Sequence, residues 1–130
     1  MYNLTLTYTD NRYEMQNDNA HWILRREIGF SPVQMLVASI GACGGYVLTS
    51  ILDKMQIKHE MRNLEMTFEV NQDSKAKEPT YVGMVFHIQV HQDDSEKVLH
   101  ALSLVPKYCP VMLSLNDKVI IEKQVCFIPE

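Results

Sequence analysis

Residues 31–55 read SPVQMLVASIGACGGYVLTSILDKM, with no charged side chain before Asp53. This stretch limits the possible folds more than any other. Ser31 suits an N-cap, Pro32 the first helical position, and Gln34 completes a capping box, so a helix is predicted from here to about Met55. A helix that is apolar on every side is expected to be buried on every side. Its middle is small: Ala38, Ser39, Gly41, Ala42, Gly44 and Gly45. Three interior glycines cost roughly 1 kcal/mol each relative to alanine. Close approach of another backbone or helix is the simplest offset. Cys43 stands in the centre of this stretch.

The rest of the chain must cover that helix, and its period is mostly two. Tyr2, Leu4, Leu6 and Tyr8 alternate with Asn3, Thr5, Thr7 and Thr9, which predicts a strand with one wet face. Asp10-Asn11 and Asn17-Asp18-Asn19 are turn signals. They bound a returning strand over Arg12 to Gln16, and a third strand follows over His21 to Ile28. Leu64 to Val70 and Val82 to Val90 alternate and predict an antiparallel hairpin across a polar loop. A second helix follows Asp93-Asp94-Ser95 and is expected to stop at Pro106. Cys109-Pro110 opens a short helix over Val111 to Leu115. Val119 to Phe127 is a final strand with an irregularity expected near Lys123. The reading is α+β, one domain over residues 1–130, with a long buried helix on antiparallel sheet.

Composition narrows the function. The net charge of −4 disfavours a large basic nucleic-acid surface. No run of apolar residues reaches the roughly 18 needed to cross a membrane. The opening MYNLTLTYTD lacks the basic and apolar regions of a secretion signal, so a cytoplasmic protein is expected. No cofactor or metal is predicted. His87 and His91 fall on one strand, about 13 Å apart at ~3.3 Å per residue, too far to share an ion. They read as strand-face histidines.

Three cysteines remain: Cys43, Cys109 and Cys126. An odd number with no CxxC argues against a disulfide framework. A buried cysteine is most often an inert small hydrophobe, and Cys126 reads as structural. Cys109 is expected to have a lowered pKa, because it opens a helix.

Ser31-Pro32-Val33-Gln34-Met35-Leu36, followed by Cys43 ten residues after Val33, resembles the first signature of the osmotically inducible protein C (OsmC) and organic hydroperoxide resistance family. Cys109-Pro110-Val111 resembles the second. The order of elements is similar along essentially the whole chain. The resemblance implies antiparallel sheets packed around a long buried central helix, in an intertwined homodimer. It also implies a thiol peroxidase acting on organic hydroperoxides and recharged by an external dithiol. By match Cys43 is the peroxidatic cysteine and Cys109 the resolving one. Arg12 falls where the organic hydroperoxide branch places an arginine that stabilises the thiolate, with Arg25 and Arg26 as fallbacks. Met35, Ile40, Tyr46 and Val47 are candidates for an apolar substrate wall. The chain departs from that branch at Val33, where the branch has a glutamate that orients the arginine. Asp10-Asn11 stands in place of a glycine pair.

Two rival functions share this sequence. One is a non-peroxidatic module that holds an apolar ligand between subunits, as loss of the orienting glutamate would allow. Thiols unreactive to alkylation would favour it. The other is different thiol chemistry at Cys43, such as persulfide or acyl transfer, which would leave a covalent adduct in place of a disulfide.

Overall fold

The computed structural model describes all of residues 1–130. The chain divides into two compact units, Met1–Leu36 and Val37–Glu130.

The first unit is a three-stranded antiparallel meander of β1 (Thr7–Thr9), β2 (Arg12–Gln16) and β3 (His21–Ile23), in that order. Asp10 and Asn11 both take positive φ, as a two-residue hairpin turn requires. At the next turn the Asn17 side-chain oxygen accepts from the backbone N–H groups of Asn19 and Ala20, each at 2.8 Å. Two expectations change here. The alternation from Tyr2 yields a strand only at Thr7–Thr9, because β2 offers partners only from Glu14 back to Arg12. The third strand ends at Ile23, where the backbone folds on itself: Gly29 N–H donates to the Arg25 carbonyl at 2.9 Å and Phe30 N–H to that of Ile23 at 3.1 Å. Arg25, Arg26 and Glu27 therefore lie in an exposed turn and not on a strand.

The long helix α1 (Pro32–Lys54) opens as its sequence predicts. Gln34 N–H donates to Ser31 Oγ at 3.0 Å, and Ser31 N–H donates to Gln34 Oε1 at 2.9 Å. This is a reciprocal capping box that satisfies two otherwise orphaned donors.

The second unit holds β4 (His59–Val70), β5 (Pro79–Val90), α2 (Ser95–Tyr108), α3 (Pro110–Leu113) and β6 (Ile120–Phe127). Its sheet runs β4-β5-β6. β4 and β5 form the predicted antiparallel hairpin, with a bulge between Met61 and Asn63. β6 pairs with β5 in parallel, which differs from the all-antiparallel expectation. The segment between them carries α2 and α3, and a crossover of that length returns a strand in the same direction. The register from Tyr81↔Ile120 to Ile88↔Phe127 is unbroken, so no irregularity exists at Lys123.

Val82, Met84, Phe86, Ile88 and Val90 line the buried face of β5. From α1, Val37, Ile40, Gly41, Gly44, Leu48 and Leu52 form one buried stripe, at the three- and four-residue spacing of a helix face. Two of the glycines are explained by packing. A Cβ on Gly41 would stand 2.6 Å from Met66 Sδ, and one on Gly44 would stand 3.0 Å from Met112 Cε. The neighbours are side chains of the sheet and of the helix α3, where the sequence suggested another backbone or helix. α2 contributes Val98, Ala101, Leu102 and Val105. It runs through Pro106 to Tyr108, past the predicted stop. Proline forfeits its own N–H bond and crowds the Leu102 carbonyl four residues back, but its φ is helical, and α2 continues for two residues before it ends.

The other face of α1 is not covered by its own chain, contrary to the expectation of burial all round. Leu36 is 39% exposed and Tyr46 77%. A second correction concerns membranes. At 23 residues α1 is long and apolar enough, by length and composition alone, to cross one. Glycines and serines interrupt every strictly apolar run, yet the average stays high. Its packed stripe gives it the role of a core helix here.

Candidate functional site

Cys43 and Cys109 come together. Cys43 sits at the margin of the buried stripe of α1 and is partly exposed. Cys109 occupies the N-cap of α3, with Pro110 at the first helical position. It is fully buried, at 0% exposure. The two thiols are hydrogen-bonding neighbours, and both are free.

Burial pushes the Cys109 thiol above its ordinary pKa. The backbone N–H of Met112 opposes this, the Cys43 side chain adds to it as hydrogen-bond partner and as charge, and the N–H of Val111 opposes it weakly. The expected lowering at a helix N-terminus is therefore overturned. α3 has only four residues, and its free N–H groups do not outweigh desolvation. The chemical consequence is a division of labour. Cys109 holds its proton more firmly than an ordinary thiol, while Cys43 is the partly exposed sulfur of the two.

Cys43 also faces outward. It lines a groove of about 1020 Å³ between α1 and α2. Ser39, Tyr46, Val47, Ser50 and Ile51 of α1 form one wall, and His100, Leu104 and Tyr108 of α2 the other. Lys54 and Met55 also line it. Of the predicted wall residues, Tyr46 and Val47 are in place. Ile40 is not, since it faces the core at 1% exposure. Met35 lies in the first unit, on the opening turn of α1. The residues that sequence reading missed on α1 recur at helical spacing from Cys43, and that periodicity could have found them. Nothing in the sequence pattern placed His100, Leu104 and Tyr108 opposite.

Arg12 belongs to the first unit. Its terminal nitrogen lies 3.4 Å from Glu14 Oε1, and His21 Nε2 reaches the same oxygen at 2.9 Å. Glu14 is the one buried charged residue of the chain, at 8% exposure. Arg12 Nε is buried and has no acceptor. The fallback arginines, Arg25 and Arg26, are exposed. Cys126 is exposed on the outer face of β6, so the structural reading of it fails: it fills no core.

Comparison with known proteins bears on the family and the fold. The family model described as OsmC-like protein matches residues 25–123. No curated protein matches the sequence. Among solved structures, an OsmC-like protein from Mycoplasma pneumoniae superposes with a TM-score of 0.80 at 16% identity, covering 99% of this chain and 98% of that one. A hypothetical protein from Aquifex aeolicus VF5 gives 0.79 at 17% identity, covering 100% and 98%. The organic hydroperoxide resistance protein OhrB of Bacillus subtilis gives 0.64 at 14% identity, covering 96% and 98%. At such identities the likeness is one of fold.

Proposed function

This chain belongs to the OsmC-like family, and we propose on that premise that it is a two-cysteine thiol peroxidase for organic hydroperoxides. The observation that carries the proposal is the arrangement of the cysteines: a partly exposed Cys43 on an apolar groove, with a buried Cys109 in hydrogen-bonding reach behind it.

In the proposed cycle the Cys43 thiolate attacks the terminal oxygen of R–O–O–H. The O–O bond breaks, sulfur is oxidised to the sulfenic acid, and the alkoxide leaves and takes a proton to become the alcohol. The Cys109 sulfur then attacks the sulfenic sulfur. An S–S bond forms and hydroxide leaves, becoming water with the Cys109 proton. Two thiols and one hydroperoxide thus give a disulfide, an alcohol and water. An external dithiol reduces the disulfide. A resolving thiol close at hand keeps the sulfenic acid from over-oxidation. Only a thiolate attacks well, so a cation near Cys43 is needed, and Arg12 is the residue we assign.

The groove supports a substrate with an apolar body over hydrogen peroxide. It also supports a homodimer as the working form. A second copy across a two-fold axis would cover the exposed Leu36 and Tyr46 and exclude water from Cys43. The free thiols suit a reducing compartment such as the cytoplasm. The test is consumption of cumene hydroperoxide and of hydrogen peroxide with a small dithiol in excess. The proposal requires turnover that prefers cumene hydroperoxide and vanishes in Cys43→Ser. Equal or absent turnover of the two would refute it.

A further inference from the structure

Cys126 has no part in the chemistry above, and the fold does not use it as core. Free cysteine is among the most buried of residue types, so an exposed one in mid-strand asks for a chemical reason. Its neighbours give one. β6 pairs with β5 in parallel, and Cys126 stands beside His87. Phe86 and Ile88 turn to the core, so His87 between them faces outward, on the side of Cys126. Neighbouring strands lie roughly 4.8 Å apart, which puts the imidazole in reach of the thiol. β4 flanks His87 on its other side. There Glu65 Oε1 lies 3.0 Å from His87 Nε2. The pairing is one of charge, since that buried nitrogen makes no aligned hydrogen bond. With Nε2 turned to Glu65, Nδ1 is the nitrogen left for a proton from Cys126.

The order across the three strands is carboxylate, imidazole, thiol. A nucleophile beside a base that a third group orients is the arrangement of an activated thiol. The other charged groups at this end of the outer face are Glu60 and Arg62 of β4. They pair with each other at 3.2 Å, and Arg62 also donates to Gln89 Oε1 at 2.9 Å. β5 and β6 carry no charged residue within two positions of His87 and Cys126.

We propose that Cys126 is a second reactive thiol, a modification site that takes up a low-molecular-weight thiol from its disulfide. Cys126 passes its proton to His87, and Glu65 compensates the imidazolium. The thiolate attacks one sulfur of R–S–S–R. An S–S bond forms between Cys126 and one RS group, the S–S bond of the reagent breaks, and the departing thiolate takes the proton from His87. One thiol and one disulfide give one mixed disulfide and one thiol. The proposal does not depend on the hydroperoxide reading.

The test exposes the reduced full-length wild type to oxidised glutathione between pH 6 and 9, stops the reaction with acid and reads each cysteine by peptide mass mapping. Cys126 is expected to gain one glutathione. In His87→Gln its rate at pH 7 should fall by roughly three- to tenfold, with the rate profile moved to more alkaline pH. Glu65→Gln should slow it less, by about two- to threefold, and serves as the probe should His87→Gln not fold. The rate at Cys43 in the same digests should stay as in the wild type. No adduct at Cys126 in the wild type overturns the proposal. So does an unchanged Cys126 profile in these variants, or an equal change at Cys43 and Cys126.

Discussion

The thiol of Cys109, fully buried, lies in hydrogen-bonding reach of Cys43, which is itself open to an apolar groove. One sulfur can meet a substrate and the other can meet only its partner. Burial thus gives the two thiols different access before any chemistry begins.

That burial has a stability signature. Cys109 holds its proton more tightly folded than unfolded, since its folded pKa is raised. Its contribution is fully present below the unfolded thiol value of about 8.5 and is lost as pH rises from there through the higher folded value. Urea midpoints between pH 7 and 10 should fall more steeply for the wild type than for Cys109→Ala. Parallel curves would show that the thiol is not held in this way.

Accessibility orders the three thiols. A short pulse of iodoacetamide under native conditions should label Cys43 and Cys126, which solvent reaches, before buried Cys109. Peptide mass mapping reads the order. Early labelling of Cys109 would contradict the buried N-cap.

The entry to α1 depends on one small residue. A Cβ at Gly29 would stand 2.1 Å from the Ile23 carbonyl oxygen, the same oxygen that accepts from Phe30 N–H. No side-chain rotation relieves a clash with backbone. Gly29→Ala should destabilise the first unit by about 1–3 kcal/mol, read as earlier urea unfolding and faster hydrogen exchange in β3. Wild-type exchange there would exclude the clash.

The outward face of α1 tests the proposed dimer. Tyr46 is 77% exposed in the single chain and stands beside Cys43 on the groove. Sedimentation velocity should give a dimer for the wild type and a monomer for Tyr46→Glu, because a buried unpaired carboxylate opposes association. A monomeric wild type would remove the dimer from the account.

What was legible in the sequence was local. Ser31 and Gln34 announced the helix start, and Cys109-Pro110 announced the short helix, because caps are decided by neighbours in the chain. Alternation found the β4–β5 hairpin. The parallel placement of β6 was hidden, since a strand pattern carries no direction. The strand predicted from Tyr2 failed for want of a partner, and partners are set by the fold. Cys43 and Cys109 were matched by motif, but the raised pKa of Cys109 follows from side chains packed around it from elsewhere in the chain. Glu14 was invisible as a partner of Arg12. Two residues apart on a strand they share a face, yet only the third strand and the burial around them show that the pair is held.

The central claim is that Cys43 and Cys109 act as one redox pair. Intact mass after brief, stoichiometric exposure to cumene hydroperoxide tests it most directly, on the wild type, Cys43→Ser and Cys109→Ser. The account predicts rapid loss of two hydrogens from the wild type, abolished by either substitution, with Cys109→Ser gaining oxygen in its place. A wild type that stays unmodified while free cysteine in the same tube oxidises would contradict it.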